Sequence, residues 1–227
     1  MKIESSVTAV SWIPAGSVKG LAKQPFSLGL THYDEEPPAF VEDIEALLRD
    51  DRFREANVLR AYVEVEGGKI VGYGQTGSGY IGSTTMNVGL GKVAVKGHAL
   101  PMLQYELEVN PDYVKFAQTV GGRTGMPFPR PVRKAPFLQY HSAIAWSTLA
   151  LTLHADGRVE RELIGASPFP RHYLYDDEGQ LIGDTVITDF KAWFSSCFGR
   201  RTPWKGVDRK PQVQAILVPE SPATAIA

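Results

Sequence analysis

Along most of the chain, apolar and polar residues alternate in short runs rich in valine, tyrosine and threonine, each closed by glycine, proline or aspartate. A period of two sends successive side chains to opposite faces, so these runs predict half-buried β-strands. Four pairs of runs read as hairpins. Residues 60–66 and 69–73 flank Gly67-Gly68, residues 148–154 and 158–164 flank Ala155-Asp156-Gly157, and residues 173–175 and 180–182 flank Asp176-Asp177-Glu178-Gly179. Each of these turns offers a glycine where positive φ carries no steric cost. The fourth, 103–109 with 113–120, turns at Asn110-Pro111-Asp112, where the proline presets φ. Residues 6–13, 26–32, 84–90, 92–96 and 137–141 are predicted as further strands. About ten strands are too many for one flat open sheet. The expected fold is therefore mainly β: a single-domain antiparallel β-barrel or β-sandwich with two short helices.

The helices are expected where the period changes. Phe40, Ile44, Leu47 and Leu48 recur at helical spacing. A second helix is predicted over 188–198, with Thr188 as N-cap, Asp189 at the positive end of its dipole and Gly199 just past its end. Its apolar face carries Phe190, Trp193, Phe194 and Cys197, and reads either as ordinary packing over the β-structure or as the wall of a ligand cavity. The proline-bearing stretch 121–136 is expected to be an irregular loop, since prolines remove ladder donors. One domain spans 1–210, and 211–227 is expected to be a flexible tail.

Composition narrows the function classes. The chain has 227 residues, with 24 Lys and Arg against 25 Asp and Glu. That balance argues against disorder and lacks the basic surplus of a nucleic-acid binder. Charge is unevenly placed, however, with 12 acidic and 7 basic side chains in residues 1–66. Cys197 is the single cysteine, so no internal disulfide or cysteine metal site can form, and a reducing, cytoplasmic location is expected. The longest apolar stretch, 143–153, is interrupted by Ser147, Thr148 and Thr152 and is too short to span a bilayer, so no membrane partner is expected.

Candidate chemistry rests on histidine and arginine. His172 follows Ser167-Pro168-Phe169-Pro170-Arg171, where two prolines stiffen the entry to a strand and Arg171 sets a cation beside the ring. It is the first candidate for proton transfer, and His141 is the second. Ordinary structural histidines remain the alternative for both. Arg123 and Arg171 are candidates for an anionic group, since a guanidinium fork matches a carboxylate or phosphate. Tyr140, Trp146, Trp193 and Phe194 are the candidate aromatic lining. The run His32-Tyr33-Asp34-Glu35-Glu36 is rich in metal-ligand types, but adjacent Pro37-Pro38 favour a solvated loop. No metal and no cofactor are assigned. The glycines from Gly72 to Gly82 lack both a βαβ setting and a P-loop lysine, and no nucleophile elbow is present.

Several strings together resemble an uncharacterised actinobacterial protein family. They are Gly122-Arg123-Thr124-Gly125 with Pro129-Arg130-Pro131, Ala145-Trp146 with LALTLHADG over 149–157, GASPFPRH over 165–172, and Phe198-Gly199-Arg200 with Thr202-Pro203-Trp204. In longer members of that family this region precedes a cyclic-nucleotide-binding domain. The resemblance covers the chain to about Trp204 and brings no catalytic residues with it. The short helix with Gly-Glu and a downstream Arg-Ala that grips a cyclic phosphate is not found here, so cyclic-nucleotide binding is not expected.

The function expected from the sequence is small-molecule binding in an aromatic-lined pocket. A cofactor-free cyclase, isomerase or hydrolase is its enzymatic form, and turnover is left open. The alternative is a non-catalytic regulatory or interaction module. A homodimer pairing through the glycine- and tyrosine-rich strand over 72–81 is compatible with either.

Overall fold

The alternation closes onto two antiparallel sheets in a computed structural model, which describes residues 1–29, 31–87, 92–131, 133–168 and 170–185, with 203–204, 216–217, 221–222 and 225–226. In chain order the elements are β1 (Lys2–Trp12), α1 (Gln24–Ser27), α2 (Ile44–Arg49), β2 (Glu55–Glu66), β3 (Lys69–Ile81), β4 (Thr84–Asn87), β5 (Lys92–Val95), β6 (His98–Ala99), β7 (Leu103–Val109), β8 (Tyr113–Pro131), β9 (Leu138–His154), β10 (Arg158–Ala166), β11 (Arg171–Tyr175) and β12 (Leu181–Asp184). One sheet runs β12-β11-β1-β2-β3; the other runs β10-β9-β8, with β6 and β7 both pairing with β8. Strands β4 and β5 form a separate ribbon. All four expected hairpins are present. The two sheets do not close on themselves, so the sandwich describes the molecule and the barrel does not. Within the expected tail, Ile216–Leu217 and Ser221–Pro222 pair with β10, and Ala225–Ile226 pair with β1.

The core lies between the sheets. Ile3, Val7 and Ala9 of β1 and Leu59, Ala61, Val63 and Val65 of β2 meet Val114 and Phe116 of β8, Leu149, Leu151 and Leu153 of β9, and Val159 and Leu163 of β10. Each strand contributes every second residue. Fully burying one such large side chain is worth about 1.5–3 kcal/mol.

Three local expectations are corrected. Most of the expected loop over 121–136 is strand: β8 continues to Pro131 and pairs with β9 over Gly121–Thr124 and again over Phe128–Pro131, with an irregularity between, and of the described residues only 133–136 form the turn. Pro127, Pro129 and Pro131 fall at alternate positions, and β6 meets the other side of β8 only at Gly122 and Arg123. Beyond that point no strand among the described residues pairs with this side, so a missing N–H breaks no described ladder there. The expected strand over 26–32 gives way to α1, with Pro25 in its first turn, where its absent donor costs nothing. The helix predicted from Phe40 begins only at Ile44, capped by Asp43, whose side chain accepts from the Glu45 N–H; Phe40 instead bridges Gln180. The helix predicted over 188–198 lies outside the described residues.

Close approach explains the glycine-rich strand. A Cβ at Gly79 would lie 2.5 Å from Val120 Cγ1, and one at Gly82 would lie 1.9 Å from the Phe53 carbonyl oxygen. The first obstacle is a side-chain methyl and the second is backbone. Gly79→Ala is therefore expected to cost about 1 kcal/mol and Gly82→Ala about 2–3 kcal/mol, read as lowered urea midpoints at unchanged m-value.

Candidate functional site

At one end of the space between the sheets the strands keep their phase and change their chemistry. After Ala9 on β1, Leu59 on β2, Phe116 on β8, Leu149 on β9 and Leu174 on β11, the next inward positions carry Ser11, Asn57 and Glu55, Gln118, Ser147 and His172, all buried. Register sets His172 opposite Ser11 and Ser11 opposite Glu55, so the three stand in a row across β11, β1 and β2. Ser147 reaches the same carboxyl from the facing sheet, Oγ to Glu55 Oε1 at 2.8 Å. Asn57 and Gln118 stitch the layers beside it: Gln118 Nε2 donates to Asn57 Oδ1 at 2.8 Å, and Asn57 Nδ2 donates to the Gln118 and Ser147 carbonyls.

Counting protons fixes the state of the row. His172 Nε2 lies 2.9 Å from the Ser167 carbonyl oxygen, which can only accept, so Nε2 carries a hydrogen. Burial pushes the imidazole down to about 4, against a smaller upward pull from that carbonyl, which makes the ring neutral and Nδ1 an acceptor. The single Ser11 proton then goes to Nδ1, 2.6 Å away. Ser11 Oγ also lies 2.5 Å from Glu55 Oε2, and with its own proton spent it must accept from a protonated carboxyl. Burial, which pushes Glu55 up to about 8 against the opposing pull of the Ser11 and Ser147 hydroxyls, supplies that proton. The result is an uncharged chain running Glu55 to Ser11 to His172 to the Ser167 carbonyl, in which each donor meets one acceptor.

A second cluster lies back to back with this one. Arg54 precedes Glu55 and turns to the opposite face, while its N–H donates to the Ser11 carbonyl. Its guanidinium is fully buried and pairs with Asp34: Nε donates to Oδ2 at 3.0 Å, and Nη2 lies 2.7 Å from Oδ1 as an ion contact without a hydrogen bond. Nη1 donates to the Ser83 carbonyl and Thr84 Oγ1, and Nη2 faces the His32 carbonyl and Nε2, so all five donors are met. Burial pushes the Asp34 carboxyl up, opposed by Arg54 and by the N–H of Ile13 at 2.7 Å. The guanidinium thus fills the space beside His32 and Asp34 that a cation ligated by this run would take; among the described residues no group of three metal-ligand side chains gathers.

Above this ion pair opens a cleft of about 730 Å³, lined by Phe26, Tyr33, His32, Asp51, Arg52 and Thr85 among others. The Phe26 and Tyr33 rings stack at 4.5 Å. Asp51 enters through the end of α2. Its N–H donates to the Leu48 carbonyl and that of Arg52 to the Leu47 carbonyl, a Schellman ending in which Asp51 occupies the left-handed position at φ 54°. Ser83 Oγ and Thr85 Oγ1 each donate to its carboxylate at 3.0 Å. A second, smaller concavity of about 310 Å³ lies over the outer face of β1 and β2, between Glu4, Arg60, Tyr62 and the 176–179 turn.

No family model matches the chain, and no curated protein does.

The residues nominated from sequence are only partly brought together. Ser167 joins two of them: it accepts from His172 through its carbonyl and from the Trp146 N–H through Oγ at 3.1 Å. Arg171, next to His172, pairs with Asp184 and lies over the Tyr173 ring. Arg123 on β8 donates to the Ser142 carbonyl at 3.2 Å. Tyr140 and His141 lie farther along β9, opposite Pro129 and Phe128, and their side chains are outside those described. Trp193 and Phe194 lie outside the described residues altogether. Of the described side chains among them, His172, Arg171, Arg123 and Trp146 line neither concavity. Sequence reasoning passed over Ser11, Glu55 and Ser147, whose signal was a polar residue on the inward phase of an apolar strand. It also passed over Arg54 and Asp51, whose partners come from distant segments.

Proposed function

We propose that the protein binds a small molecule in the cleft above the Arg54–Asp34 pair. One observation carries this: a concavity of about 730 Å³ whose wall combines the Phe26–Tyr33 stack with a few fixed polar groups, His32, Asp51 and Thr85. Ligand sites run to roughly 300–1,000 Å³ and pair an apolar surface with a small number of placed polar atoms. Arg54 supports the wall from beneath by tying His32, Ser83 and Thr84 to one guanidinium. Glu55 and His172 face the opposite layer and are buried, so the proposal is of binding without turnover. No helix among the described residues is long and apolar enough to cross a membrane. A cytoplasmic setting is proposed with it, supported by the single cysteine.

Native mass spectrometry of the protein purified from its own host tests the proposal. A small-molecule adduct is expected on the wild type and is expected to vanish from the Phe26→Ala, Tyr33→Ala double variant. An adduct held equally by both proteins, or none on either together with an empty cleft in ligand-screening NMR, overturns it.

A further inference from the structure

We infer that the cleft takes an organic cation, a protonated amine or quaternary ammonium carried on an apolar or aromatic body. This rests on the binding proposal and names the ligand class of the same site. Glu35, Asp50 and Asp51 line the cleft against Arg52 and His32. The bases are already engaged. Arg52 Nη2 donates to the Glu36 carbonyl at 2.8 Å, and its Nε lies 3.4 Å from Glu35 Oε2. His32 accepts from Arg54 at Nε2 and faces the Thr85 carbonyl, 3.3 Å away, with Nδ1. The charge of Arg54 below is matched by Asp34. What the cleft presents to an incoming molecule is therefore the negative charge of Asp50 and Asp51.

Two further features define the rest of the ligand. The stacked Phe26 and Tyr33 rings share the cleft with these carboxylates, and an aromatic face attracts a cation as well as an apolar body. The Tyr33 hydroxyl on the same ring is buried without a hydrogen-bond partner among the described residues, at a cost in stability. Asp51 is itself held against its backbone preference: the left-handed position at the end of α2 suits glycine, yet it carries a carboxylate aimed by two hydroxyls. A bare metal ion is far too small for a concavity of about 730 Å³, whereas an aromatic amine reaches both walls.

The test uses four probes built on one aromatic ring, benzylamine and benzyltrimethylammonium as cations, benzyl alcohol as neutral and benzoate as anion, titrated into the whole chain by NMR and calorimetry. The cations are expected to bind at least about tenfold more tightly than benzoate, a difference of roughly 1.4 kcal/mol, and to weaken as salt rises. Asp51→Asn keeps a residue that tolerates the left-handed backbone, and is expected to lose about tenfold in cation affinity while benzyl alcohol is unaffected. Asp50→Asn, an exposed substitution, is expected to give a smaller loss of the same kind and serves if the first variant does not fold. Benzoate or benzyl alcohol binding as well as the cations, or cation affinity indifferent to both substitutions, overturns the cation and leaves the binding proposal standing. If no probe perturbs the cleft resonances at millimolar concentration, the cation inference falls, and the binding proposal falls with it only where native mass spectrometry also shows no adduct.

Discussion

Replacing Glu55 by glutamine is expected to shift relative stability in favour of the variant by about 5 kcal/mol between pH 4.5 and pH 8. Glutamine reproduces the uncharged row: its amide N–H donates to Ser11 Oγ, Ser11 donates to His172 Nδ1, and its carbonyl accepts from Ser147. What it removes is the titration. The folded wild type holds the Glu55 proton up to about 8, whereas the unfolded chain releases it near 4.5. A raised carboxyl stabilises the fold fully below the unfolded value, and that contribution drains away as pH climbs to the folded one, at about 1.36 kcal/mol for each pH unit crossed. His172 works with the opposite sign. Its folded value, lowered to about 4 from 6.5, makes the native state gain stability from pH 4 to 6.5. In the wild type the two slopes cancel between pH 4.5 and 6.5, because the pair binds one proton in either state: on Glu55 when folded, on the histidine when unfolded. The wild type should therefore show a stability plateau from pH 4.5 to 6.5 and a fall of about 2 kcal/mol between pH 6.5 and 8. The glutamine variant should rise through the first window and stay level through the second. Urea unfolding at half-unit intervals of pH checks both curves. A wild type with no loss between pH 6.5 and 8 would mean that Glu55 is ionised in the fold, and the proton count along the row would be wrong.

That row also shows where sequence legibility ends. The hairpins at Gly67-Gly68, Asn110–Asp112, Ala155–Gly157 and Asp176–Gly179 were readable because a turn is a local event, decided by two to four residues. His172 was singled out from its neighbours and does stand in a polar cluster, but its partners Ser11 and Glu55 lie 161 and 117 positions away along the chain and meet it only through the β11-β1-β2 register. The same holds for the cleft. His32 and Asp34 drew attention as metal-ligand types, yet what meets them is Arg54, carried in by the start of β2. The 121–136 stretch was misjudged for a related reason: prolines exclude a strand only where both edges are paired, and which edge is free is a property of the assembled sheet. Composition and period thus reached the layers, and the sites depended on pairings that no local window contains.

Substituting Arg54 by methionine is expected to cost about 3–5 kcal/mol, since it removes one partner of a buried ion pair and leaves the Asp34 charge without compensation. Methionine fills much of the same space, so little of this loss is cavity. The effect should reach beyond Asp34. The Ser83 carbonyl, Thr84 Oγ1 and the His32 carbonyl all lose their donor at once, and these groups hold the cleft wall in place. Arg54→Lys keeps the charge but offers three donors from a point, where the wall uses a planar fork with five, and is expected to recover less than half of the loss. The double change Arg54→Met with Asp34→Asn separates charge from scaffolding. Asparagine can still accept from the Ile13 N–H through its carbonyl oxygen, so stability should return to within about 2 kcal/mol of the wild type. Ligand retention should not return, because His32 and Thr84 remain untethered. Measuring urea midpoints and native-mass adducts on the same three variants distinguishes the two roles. If the double variant recovers both stability and adduct, Arg54 is a buried charge balanced by Asp34 and nothing more, and the cleft does not depend on it.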